Sequence, residues 1–163
     1  MRKKKKNENI RIMNENKCIF CSVINGELPS YKIWEDNDSI AVLDLCPNTK
    51  GQTLVLSKNH LPSYPFDIDD KEYLRALKSA KTVGKILEQK LNVKRVALVI
   101  EGMGIDHLHI KLYPLHGLDT TFQETWTNET AYFDNYKGYI STLMGNRAEE
   151  KELLEIQKLI TNN

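Results

Sequence analysis

Three basic side chains stand at alternate positions of the segment D-H-L-H-I-K-L-Y-P, namely His107, His109 and Lys111. In a strand they share one face while Leu108, Ile110 and Leu112 share the other, so one side reads as core and the other as polar and positive. A neutral imidazole is a competent nucleophile near neutral pH and an ammonium clamps phosphate, so the polar face is a candidate site. An exposed sheet face carrying incidental histidines is the alternative. A second chemistry-bearing group is the C-x-x-C pair Cys18 and Cys21, whose spacing fits either half of a metal site or a redox pair. A thioredoxin-like redox pair belongs between a strand and a helix of a βαβ unit, and the residues that follow do not read that way. With Cys46 as the third cysteine, a disulfide framework is not expected.

The surrounding sequence must supply the elements that hold these groups. After CIFCSVINGELPS, a short mixed stretch ending in turn residues Gly26 and Pro29, strand-like runs span Tyr31 to Glu35, Ser39 to Leu45 and Gln52 to Leu56. The turn D-N-D divides the first two, and CPNTKG divides the second from the third, which points to an antiparallel meander. Residues 69–91 place Leu74, Leu77, Ala80, Val83, Ile86 and Leu87 near the helical period, with Asp69 and Asp70 available to cap the start. Val93 to Ile100 reads as a strand, and His107 to Tyr113 as another that Pro114 ends. A last helix is expected near residues 148–160. Together these elements predict an α+β domain: a five-stranded antiparallel sheet, a central helix and a C-terminal helical extension.

H-L-H-I-K-L-Y resembles the histidine-triad motif, in which histidines alternate with apolar residues along one strand. Upstream, the C-x-x-C start, the L-D-x-x-P turn at Leu43 to Pro47 and the strand leading to K-x-H at His60 resemble the amino-terminal half of histidine-triad (HIT) nucleotide-binding proteins. The resemblance covers residues 18–116 and leaves 1–17 as a disordered basic tail and 117–163 as an extension packed on the domain. It implies cleavage at the α-phosphate of a purine nucleotide derivative, a dinucleoside polyphosphate or a nucleoside phosphoramidate, through a nucleotidyl-histidine on His109. The carbonyl of His107 would hold the other imidazole nitrogen. Asp44 would accept the ribose hydroxyls, and Phe20, Val23, Val42 and Leu45 would enclose the base. In the C-x-x-C branch of the family, zinc is held at positions that correspond to Cys18, Cys21, His60 and His107. Two buried thiols beside core histidines are the alternative. A homodimer is the family's usual assembly.

This sequence departs from the family pattern where activity is concerned. Lys111 stands where the third histidine is usual, and an unperturbed lysine is a poor proton donor to a leaving group but a strong phosphate clamp. Gln52 stands where a further histidine is common and, with the backbone near Gly102 and Gly104, would stabilise charge on phosphorus. A tight turn explains those glycines equally well. A nucleotidyltransferase or phosphorylase, or a nucleotide-binding module with little turnover, therefore remains open beside the hydrolase. Lys137, Gly138, Tyr139 and Arg147 could reach a second phosphate or leaving group and Trp126 or Tyr132 could wall a pocket; packing on the domain or on a partner subunit is the alternative.

The 163 residues suit one compact domain, and no apolar run approaches the roughly 20 residues of a spanning helix. A soluble, cytoplasmic protein without membrane contact is expected. The formal charge of +1 combines two opposite regions: residues 1–17 carry seven Lys/Arg against two acids, and the remainder sixteen against twenty. A mildly acidic body argues against strong nucleic-acid binding, so phosphate must be met by a small local site.

Overall fold

The computed structural model describes residues 18–122, 124–141 and 151. The basic segment 1–17, Arg147 and, apart from Lys151, the helix expected over 148–160 lie outside the described residues. The chain divides into two compact units, residues 1–123 and 124–163.

Alternating apolar segments separated by short turns form one sheet in the first unit. Its strands are β1 (Lys32–Glu35), β2 (Ser39–Leu43), β3 (Thr53–Ser57), β4 (Arg95–Val99) and β5 (His109–Leu115), in the order β1-β2-β3-β5-β4. Every neighbouring pair is antiparallel. Among the described residues two α-helices accompany the sheet: α1 (Ile19–Ile24) and α2 (Asp70–Leu91). The expected five-stranded antiparallel sheet with a central helix is thus what forms.

Helix α2 starts where Asp69 accepts a hydrogen bond from the Glu72 amide at 3.1 Å and ends where Asn92 turns left-handed at φ 52°. Ala76, Ala80, Val83 and Leu87 are buried along it and join Ala41, Val55, Ile110 and Leu112 in the main core. Leu74, expected in that stripe, is instead 63% exposed. The buried positions step by four, three and four residues, and this course leaves Leu74 on the outer side. The opposite face of the sheet carries Ile40, Val42 and Leu56, with Phe20, Val23 and Ile24 of α1 packed against them.

Three local expectations change. The stretch after Cys18, expected only as a short mixed segment, opens with a helix, although Cys18 offers no side-chain cap. β5 begins at His109, and His107 precedes it in a tight turn whose amide donates to Ile105 O at 2.9 Å. Pro114 does not end β5: it is matched with Val96 of β4, while the matching with β3 stops at Leu112. A residue without an N–H is tolerated where one side of the strand makes no ladder.

In the second unit, described residues 124–141 contain no helix and no extended strand. Phe133 and Tyr139 meet edge to face with ring centroids 5.5 Å apart, and Trp126 Nε1 donates to Glu124 Oε1 at 3.0 Å. Among the described residues no helix is long and apolar enough to cross a membrane.

Candidate functional site

The antiparallel register sets His109 opposite Leu56 and Lys111 opposite Leu54. Leu56 belongs to the core under α1, so the polar side of β5 lies on the α1 face while Ile110 and Leu112 point toward α2. Phe20 is central to this arrangement. Its ring meets His109 edge to face at 5.2 Å and His107 at 5.8 Å.

His109 is 4% exposed, and its Nδ1 lies 2.7 Å from His107 O. A carbonyl can only accept, so Nδ1 carries the hydrogen and Nε2 keeps the lone pair. Burial holds the pKa of His109 below the ordinary histidine value, opposed by the bond to His107 O. The result is a neutral imidazole of one defined tautomer. The contact between His109 and the His107 carbonyl that the family resemblance implies is present in this geometry.

The same logic fixes His107. Its Nε2 donates to Ser57 O at 2.7 Å, which leaves the Nδ1 lone pair facing Cys18 Sγ and Cys21 Sγ, each 3.5 Å away. His60 Nδ1 approaches Cys21 Sγ at 3.2 Å. Burial is the first cause that pushes the pKa of His107 down to about 4, so the ring stays neutral, as a ligand must. The four ligand atoms of Cys18, Cys21, His60 and His107 all lie within 4.8 Å of one another. A tetrahedral ion with ordinary zinc–sulfur and zinc–nitrogen bonds needs sulfur-to-nitrogen edges of about 3.5 Å. The donor set and its spacing therefore fit a closed Cys2His2 centre of structural type, and the Ser57 carbonyl orients the His107 ligand from behind.

Beside this cluster a cleft of about 230 Å³ is walled by Phe20, Val23, Val42, Leu45 and Asp44, the residues to which the family resemblance gave the nucleoside. Ile19, Pro29 and Ile105 also line it and carry no sequence signal beyond being apolar. Leu45 is 73% exposed and forms a lip. Asp44 Oδ1 accepts from the Cys46 amide at 2.8 Å and Oδ2 from Gln52 Nε2 at 2.6 Å. Gln52 Oε1 in turn accepts from the Asn48 amide at 2.8 Å. The amide of Gln52 thus braces Asp44 and the turn after β2.

The two glycines differ. At Gly102, with φ +74°, an added Cβ would stand 3.1 Å from Ser63 O, so the residue permits close approach of two backbone segments. Gly104, with φ +88°, has open space where a Cβ would be. From the sequence this loop stands out only for its glycines, yet Glu101 at its start reaches Lys111, with Oε2 and Nζ 2.7 Å apart. A carboxylate beside a strand end gives little warning of such a contact, because turn formers look the same.

A family model described as the HIT domain matches residues 25–117. The matched segment holds His60, His107 and His109 and begins after Cys18 and Cys21. Bacillus subtilis "Protein hit" is 35% identical over 124 residues, 74% of this chain and 83% of that protein. The adenosine 5'-monophosphoramidase of Saccharomyces cerevisiae is 31% identical over 118 residues, 72% of this chain and 74% of its own. Among solved structures, a hypothetical histidine triad nucleotide-binding protein from Sulfolobus tokodaii shares the fold with a TM-score of 0.56 at 29% identity, covering 88% of this chain and 89% of that one.

Proposed function

The chain belongs to the HIT domain family, and we propose that it is a nucleotide-binding hydrolase that cleaves at the α-phosphate of a purine nucleotide derivative with His109 as nucleophile. The observation that carries this is the buried, neutral His109 whose Nδ1–H is tied to His107 O at 2.7 Å, leaving the Nε2 lone pair for attack. Nε2 bonds to phosphorus as the bond to the leaving group breaks, and water then releases the nucleotide from His109. Phosphoryl transition states need positioning and charge stabilisation above all. Lys111 and the backbone at Gly104 supply charge and N–H groups. Gln52 acts through Asp44, each of whose oxygens keeps acceptor capacity for a ribose hydroxyl beyond its present bond. Phe20, Val23, Val42 and Leu45 receive the base, with Gly102 shaping the loop.

Zinc suits the cluster of Cys18, Cys21, His60 and His107; when bound, it cross-links α1 to the turn before β5 and takes no chemical part. A homodimer is consistent with β4 standing at the sheet edge and Leu98 being 44% exposed. A cytoplasmic location completes this reading.

The experiment is to trap the protein with a labelled nucleotide substrate and map the modified residue. A nucleotidyl adduct on His109, absent from His109→Ala together with turnover, is the expected result. Binding without turnover that is unchanged in His109→Ala would leave a nucleotide-binding module, a second reading favoured by the engagement of Lys111 with Glu101. Nucleoside diphosphate formed only when inorganic phosphate is added would mark a phosphorylase.

A further inference from the structure

The contact between Glu101 and Lys111 bears on which leaving group this site accepts. Val99 is in register with Lys111 across β4 and β5, and Glu101 follows two residues later. Its carboxylate lies 2.7 Å from the Lys111 ammonium, with the side chains 10% and 24% exposed respectively. Lys111 is two residues beyond His109 in β5, hence on the same face. The third position of the motif therefore presents a partly buried ion pair.

We propose that Glu101 holds Lys111 as a charge clamp and so restricts the site to nucleotide derivatives whose leaving group departs as a phosphate oxyanion, in preference to those that release an amine. This rests on the preceding assignment of His109 as nucleophile at the α-phosphate. In a phosphoanhydride, the bond from His109 Nε2 to phosphorus forms as the bridging P–O bond breaks, and the electron pair stays on the departing phosphate. That oxyanion leaves without a proton, and a nearby ammonium stabilises the charge it gains. In a phosphoramidate the P–N bond breaks and the pair stays on nitrogen, which must take up a proton to leave as an amine. Lys111 is the N–H donor at the motif position concerned, and giving up its proton would destroy the partly buried ion pair with Glu101. An imidazolium there gives up its proton far more readily than an ammonium, because its ordinary pKa lies near neutrality and the product is the stable neutral imidazole. Glu101 is on this account a positioning residue, and the pair sets substrate class.

The test uses the full chain and measures kcat/KM for a diadenosine polyphosphate and for AMP phosphoramidate, in the wild type and in Lys111→His and Glu101→Gln, with thermal melts confirming that each variant folds. The wild type should prefer the anhydride. Lys111→His should raise the ratio of phosphoramidate to anhydride by about 10²-fold, the low end of what a general acid contributes. Glu101→Gln, which lets Lys111 release its proton without leaving a carboxylate behind, should move the ratio the same way by less. A wild-type preference for the phosphoramidate overturns the proposal, and so does a ratio that stays within about threefold in both variants. If the His109 adduct forms with both substrates while the ratio is insensitive, only the leaving-group inference falls. If no adduct forms with either substrate, the assignment of His109 beneath it has failed.

Discussion

On one face of the sheet a 22-residue helix, capped at both ends, lays Ala76, Ala80, Val83 and Leu87 against Ala41, Val55, Ile110 and Leu112. On the other a six-residue helix without a side-chain cap sets Phe20 and Val23 against Ile40, Val42 and Leu56. The first face is held by burial and local helix signals together. A helix as short as α1 is marginal by itself, so its place depends on tertiary contacts, among them the Cys18 and Cys21 approach to His107. The cleft, His109 and the Lys111–Glu101 pair fall on or beside this second face, so on the proposed function stability and chemistry divide between the two sides of one sheet.

Changes confined to one face should separate the two. Leu87→Ala opens space in the α2 core and should cost about 3 kcal/mol in urea unfolding while leaving nucleotide affinity unchanged. A matching loss of affinity would show that the faces are not independent. Cys21→Ser should abolish zinc retention in elemental analysis and lower stability by roughly 2–3 kcal/mol, the contribution of a ligand bound well above its dissociation constant. Protein prepared without added metal should hold close to one equivalent; well under half of that, with both thiols free, would remove the metal from this comparison. Asp44→Asn should weaken nucleotide binding about tenfold by calorimetry, near 1.4 kcal/mol, with little change in melting temperature. The smallest effect belongs to Asp69→Ala, where losing the cap on α2 should cost about 1 kcal/mol and leave both zinc content and turnover intact.

Much of the fold was legible because its signals are local. Strand alternation and short turns announced the meander, and the α2 stripe with its acidic cap announced the helix. Helix α1 was not legible: I-F-C-S-V-I has β-branched residues and no capping hydroxyl or carboxylate, and it becomes helical through packing on Ile40, Val42 and Leu56. Pro114 misleads for a similar reason, since its cost depends on whether a neighbouring strand needs the missing N–H. At the site, H-L-H-I-K and C-x-x-C were visible as types and spacings. Glu101 was missed because its meaning comes only from the register that brings the end of β4 beside Lys111.

The amino-acid sequence by itself determined the period of each long element, the face on which His109 and Lys111 would lie, and the presence of two thiols close enough to share an ion. These follow from side-chain chemistry and backbone geometry over a few residues. Only the tertiary structure decided that His60 and His107 meet those thiols, that Ser57 O sets the His107 tautomer, and that Lys111 faces a carboxylate. Each of those contacts joins residues distant in the chain or on different strands, and such distances are set by sheet order and register, which no local pattern encodes.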